Sequence, residues 1–183
     1  MIVERDEELF DELTEEDLFD DSVTAVCFTG HREIQENVVP VLKALLAEVL
    51  DSLYDRGARV FKAGGALGFD TMAAAAVIDL RARKKDRGVK LCLCLPAPDQ
   101  DKYFSRFDAT VYRIIKENSY EVTYVSDRCT RESYLARNRK LLEGSDVCVA
   151  YCTKQKGGSY YTCKRAIMGG LEFINLADFI EYE

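Results

Sequence analysis

What the sequence lacks narrows it first. No apolar run reaches the roughly 18 residues of a membrane-crossing helix, so none is expected. The opening residues, MIVERDEELFDEL, carry no apolar stretch behind a basic start, which argues against a secretory leader. Histidine occurs once, at His31, and the seven cysteines include no CxxC pair, so no zinc site or other metal centre is expected. A Ser/His/Asp or Cys/His nucleophilic arrangement would have to use His31, and no partner stands near it in the sequence. Glycine-rich stretches occur, but none reads GxGxxG and none is followed by GK[ST], so neither phosphate-binding fingerprint is present.

What remains is a chain of 183 residues, 48% apolar and 31% charged, which suits one soluble globular domain and excludes wholesale disorder. Its net charge of −7 is unevenly spread. Residues 1–21 hold eleven acids and one base, 178–183 hold three acids, and the body between them carries a net +6. The expected division is an acidic arm over 1–22 and one domain over 23–183. The arm reads as a solvated, partly helical segment, or as a cover for the basic face of this or a neighbouring subunit. The basic body suits an anionic ligand, and the acidic ends disfavour broad nucleic-acid coating. Cys27, Cys92, Cys94 and Cys148 lie in apolar runs, which reads as reduced, buried thiols of a cytoplasmic protein.

From residue 23 a regular alternation begins. Short β-branched or apolar runs at 23–29, 58–63, 89–95, 120–126, 146–152 and 171–176 read as strands. Between them, 37–56, 71–87, 101–118, 131–143 and 160–168 read as helices, several stopped by glycine, with Pro40 tolerated in the first turn of the first. Nearly apolar strands imply a sheet covered on both faces. The expected fold is therefore α/β: a Rossmann-like three-layer sandwich, with a mostly parallel sheet of about six strands and helices on both faces.

In such a sheet, ligands bind outside the carboxyl ends of the strands. Three loops there stand out. Thr29-Gly30-His31-Arg32 follows the first strand; glycine permits close approach, Arg32 offers a fork for phosphate, and His31 is a candidate donor or proton shuttle. Gly64, Gly65, Gly68 and Asp70 precede the alanine-rich helix, where bare amides favour an anion; Asp70 reads as that helix's N-cap or as a ribose acceptor. Lys154, Lys156, Gly157, Gly158 and Ser159 open the fifth helix with the same anion logic. Arg137 and Asn138 lie on the fourth helix, whose basic side reads either as a solvated face or as part of the site. Tyr103, Phe104, Arg106 and Phe107, after the third strand, read as a packed amphipathic helix or as part of a stacking surface.

With these loops in view, the chain resembles the SLOG superfamily of Rossmann-like proteins, in its YpsA-like branch. The resemblance rests on TGHR at 29–32, GGALGFD at 64–70, Arg137-Asn138-Arg139, the strand opening at Asp146, and GGSYYT at 157–162, in that order over about 23–176. It implies binding of a phosphorylated nucleotide-like ligand such as ADP-ribose by the glycine-rich loops, with no obligatory cofactor. Gly30 and Arg32, Gly64, Gly65, Gly68 and Asp70, and Gly157 and Gly158 fall on the family's motifs; Ser159 stands where a threonine is frequent. The phosphoribohydrolase branch carries PGGxGTxxE, which is missing here; Cys163, Lys164 and Arg165 follow GGSYYT instead of an acid. The expectation is thus a ligand-binding or sensing protein rather than an enzyme. N-glycosidic hydrolysis of a nucleotide, with Asp70 and His31 as the only catalytic candidates, is the first alternative, and single-stranded nucleic-acid binding the second. A homo-oligomer is possible, and no membrane is expected.

Overall fold

The computed structural model describes residues 22–181, so the expected arm of 1–22 lies almost wholly outside the described residues. Six strands form one sheet: β1 (Ala25–Gly30), β2 (Val60–Ala63), β3 (Lys90–Leu95), β4 (Glu121–Tyr124), β5 (Val147–Tyr151) and β6 (Glu172–Asn175). All pairings are parallel, in the order β4-β3-β2-β1-β5-β6. The chain thus builds outward from β1 to β4, returns, and adds β5 and β6 on the other side. The reversal point lies between β1 and β5, where Cys27 sits in register with Cys148 and Gly30 with Tyr151.

Five helices make the crossovers: α1 (Val39–Asp55), α2 (Phe69–Lys84), α3 (Arg106–Asn118), α4 (Arg131–Leu142) and α5 (Gly157–Met168). A helix turns about 100° per residue, so Leu42, Leu46, Leu50 and Leu53 share one side of α1, and all four are buried. They join Phe28, Phe61, Leu91 and Leu93 in the main core, where α1 packs on α2 and α2 on α3. Alternate strand residues point the other way. Cys27, Cys94 and Cys148 meet Leu141 of α4 and Ala166 of α5 in a second, sulfur-rich core. These are the two faces of a three-layer sandwich.

Several expectations are refined. The expected burial of every strand holds for β1 and β5 but not for the edges, since β4 and β6 keep exposed residues. Cys92 is half-buried, and Cys163 is buried instead. Helix α3 begins at Arg106 rather than 101, because Ser105 caps it by accepting the Asp108 amide at 3.0 Å. Helix α5 begins at Gly157, three residues earlier than its apolar pattern suggests.

Two anchors fix the sheet that carries the site. Asp146, directly before β5, accepts the Thr24 amide (2.8 Å), the Thr24 hydroxyl (2.9 Å) and the Ala25 amide (2.9 Å), which sets β5 against the start of β1. Thr130 and Ser133 form a reciprocal capping box that starts α4.

Candidate functional site

The carboxyl edge at the reversal point opens into a crevice of about 310 Å³. Its walls include Thr29, Gly30, His31 and Arg32 after β1, Asp70 from α2, Tyr134, Arg137 and Asn138 from α4, and Gly158 and Ser159 from α5. The structure therefore brings together residues from all three glycine loops and from α4. Gly64, Gly65, Gly68, Lys156 and Gly157 are not on its walls.

The reason lies in how the second loop packs. The Phe69 amide at the start of α2 donates to the His31 carbonyl (3.0 Å), so the first loop occupies that helix terminus. Gly68, with φ +79°, lies against the backbone of His31 and Arg32, where a Cβ has no room. A Cβ on Gly64 would fall on the Arg137 guanidinium, and one on Gly65 on the Leu95 side chain. These glycines thus permit close approach of protein to protein. Gly30 is similar: its Cβ would lie 2.6 Å from Phe69.

Asp70 is not the N-cap expected from sequence. The helix starts at Phe69 with Gly68 as N-cap, so Asp70 lies inside the first turn. Its carboxylate instead turns back to accept the Ala66 amide at 3.3 Å and stands 3.5 Å from Arg137 Nη1. Arg137 also donates from Nη1 to the Gly64 carbonyl and from Nε to Asn138 Oδ1 at 2.9 Å. The solvated basic face considered for α4 is therefore wrong at Arg137, which is 6% exposed. Burial pushes the Asp70 carboxyl above the ordinary carboxylate range, against the opposing pull of Arg137 and of the Ala66 and Gly64 amides. The carboxyl and the guanidinium thus stand side by side at the wall of the crevice.

His31 is fixed rather than free. Its Nε2 accepts the Thr153 amide (2.8 Å) and the Lys154 amide (3.3 Å), which places its proton on Nδ1 and pins the β5–α5 loop. Burial, and then the Lys154 charge, lower its pKa. A proton shuttle through Nε2, one of the sequence readings, would first have to break this latch. Ser159 is also engaged: its hydroxyl donates to the Gly30 carbonyl at 2.7 Å, tying α5 to β1.

The α5 terminus differs from that of α2. Its N-cap, Lys156, makes no side-chain cap, and Gly157 takes φ +90° as the helix opens. Two further groups here are not among the expected site residues. Tyr134 lies between two cations, 5.6 Å from Arg32 and 5.8 Å from Arg137. Gln100 is buried behind the crevice, donating to the Gly64 carbonyl at 3.2 Å and accepting the Tyr112 hydroxyl at 3.1 Å. Tyr134 and Asn138 lie four apart on a predicted helix, a spacing that aligns them; nothing in the sequence around Gln100 marks it.

A second cavity, of about 850 Å³, adjoins the crevice and shares His31 as a wall. It lies between the loop after β1, the end of β5, α5 and β6. Among the described residues, no group of three or more His, Cys, Asp or Glu side chains could hold a metal ion. No described helix is long and apolar enough to cross a membrane.

The solved structures that align with this fold include two of DNA processing protein A. DNA processing protein A (DprA) from Streptococcus pneumoniae matches with TM-score 0.60 at 18% identity, over 82% of this chain and 49% of its own. DNA processing protein A from Helicobacter pylori, described by its single-stranded DNA binding mode, matches with TM-score 0.57 at 21% identity, over 84% of this chain and 65% of its own. This chain thus spans less than two thirds of either protein, and at these identities the likeness is one of fold. No curated protein matches the sequence. The YspA SLOG family profile (YpsA) matches residues 26–170, which takes in all three glycine loops and α4, and the chain belongs to that family.

Proposed function

We propose that this protein binds a phosphorylated, nucleotide-like ligand of the ADP-ribose kind in the crevice between β1 and β5, without turnover. The observation that carries this is the charge of that crevice. Arg32, the buried Arg137 and the first turn of α5 converge on it, and Asp70 is the one carboxylate on its walls among the described residues. Lys154 and Lys156 add to the positive field in the loop that opens α5. The fit needs no metal and no resident cofactor. The seven cysteines are free thiols, which supports the expected cytoplasmic setting.

Hydrolysis of an N-glycosidic bond is less well supported. Both catalytic candidates are committed elsewhere: Asp70 to Arg137 and loop amides, His31 Nε2 to the Thr153 and Lys154 amides. One observation favours single-stranded nucleic acid as a second reading. Tyr103 and Phe107, which an amphipathic helix would pack away, are 87% and 76% exposed beside Lys102 and Arg106, whereas Phe104 packs on Tyr112.

Thermal unfolding of the protein with AMP, ADP-ribose, NAD and a short oligonucleotide separates these readings. A midpoint raised by a nucleotide, and lost in Arg32→Ala, is the expected result. A shift with the oligonucleotide alone, weakening steeply with salt, would replace it with the second reading.

A further inference from the structure

All seven cysteines are free thiols, and one pair combines mutual contact with access from outside. Cys27 and Cys148 sit in register on β1 and β5, but they are 1% and 0% exposed within the second core. Cys92 and Cys94 lie two apart on β3, where the strand rise holds their Cα atoms about 6.6 Å apart, at the limit of disulfide geometry. Cys129, after β4, contacts Asp99 and Tyr134 instead. Cys152 and Cys163 differ from all of these. Both line the cavity of about 850 Å³ beside the crevice, Cys152 partly exposed and Cys163 buried. The two thiols are hydrogen-bonded to each other. Cys152 Sγ donates to the Lys154 carbonyl at 3.4 Å, so Cys163 is the donor between them. Their supports are fixed. Asn175 of β6 accepts the Cys152 amide (3.0 Å) and donates to the Cys152 carbonyl (3.1 Å), and Cys163 lies in the second turn of α5.

We infer that Cys152 and Cys163 form an oxidation site, which an oxidant of the peroxide class converts reversibly into a disulfide. Cys152 reacts first. It is the more exposed of the two, and burial raises the Cys163 thiol above the ordinary range, which keeps that sulfur protonated. The Cys152 thiolate takes one oxygen from hydrogen peroxide, hydroxide leaves, and a sulfenic acid forms. The Cys163 sulfur then attacks Cys152 Sγ. The S–O bond breaks, the S–S bond forms, and the Cys163 proton departs with the hydroxyl as water. In sum the two thiols lose two hydrogens and one peroxide becomes two waters. An uncharged oxidant suits this cavity, whose walls set Lys154 and Lys164 against Glu33 and Asp178. The bond would tie the end of β5 to the helix whose Ser159 holds the Gly30 carbonyl, beside the crevice. In a reducing compartment such a bond is transient and redox-sensing rather than structural. The inference does not depend on the ligand reading.

The test treats the folded full chain with hydrogen peroxide, then unfolds it in urea with N-ethylmaleimide and digests it with trypsin for peptide mass spectrometry. Trypsin releases residues 141–154, which hold Cys148 and Cys152, and residues 157–164, which hold Cys163. The expected product is these two peptides joined, lighter by two hydrogens than their sum, with fragmentation placing the bond at Cys152. Dithiothreitol added before alkylation should remove it, and Cys152→Ser should abolish it. Cys163→Ala, which keeps a small apolar group at the buried position, should strand Cys152 as a sulfenic acid. Dimedone should trap that acid at least about tenfold more than in the wild type. The inference is overturned if no joined peptide forms, if the bond lies at Cys148, or if Cys152 advances to sulfinic acid equally in the wild type and Cys163→Ala.

Discussion

At the scale of single residues, the site is built from groups that hold the protein together. His31 is the sharpest example. Its folded pKa lies below its ordinary value of 6.5, because partial burial and then the Lys154 charge disfavour the protonated ring. Unfolded chains take up that proton first as the pH falls. The contribution of His31 is therefore complete above about pH 6.5 and is lost progressively below it. Wild-type stability should fall between pH 7 and 5 by more than that of His31→Gln, measured by urea unfolding; equal slopes would reject the latch. Asp70→Ala should cost about 3–5 kcal/mol, because it strands the buried Arg137 charge, and Asp70→Asn less, because an amide oxygen still accepts from Arg137 and the loop. Gly68→Ala should destabilise by at least about 1–3 kcal/mol, since its backbone lies where L-residues rarely go and its Cβ meets the first loop. The sequence made these positions visible without revealing their use. A glycine before a helix looks the same whether it leaves room for a phosphate or for another strand's loop, and only the position of His31 distinguishes the two at Gly68.

At the scale of elements, alternation and glycine stops located the six strands and five α-helices, though not the short 3-10 helix Leu176–Phe179 after β6, because both depend on local periodicity. Faces were less legible. Arg137 and Lys140 lie three apart on α4, yet one is buried against Asp70 while the other pairs with Glu143 at 3.0 Å in solvent. Which side of a polar helix meets the sheet depends on the crossover path, which periodicity does not encode. Edges were equally hidden, as strand order decides that β4 and β6 are the outer strands. Thr130→Ala, which removes one half of the α4 capping box, should cost about 1 kcal/mol in thermal unfolding. A cost near zero would mean that packing alone sets the start of α4.

At the scale of the molecule, the main core among the described residues runs from Val23 to Ile180. The SLOG membership covers that same body, and the crevice takes walls from both halves of the sheet.

The Asp146 anchor has a kinetic corollary. It joins residues 121 and 122 apart in sequence, across a loop that holds β2, β3, β4 and α4. Contacts that close so long a loop form late in folding. Asp146→Ala should hence leave the refolding rate nearly unchanged and accelerate unfolding, moving one arm of the chevron only. Because the crevice lies on that same seam, it comes into being with the β1–β5 pairing, and the proposed ligand would act as a brake on the opening of that seam.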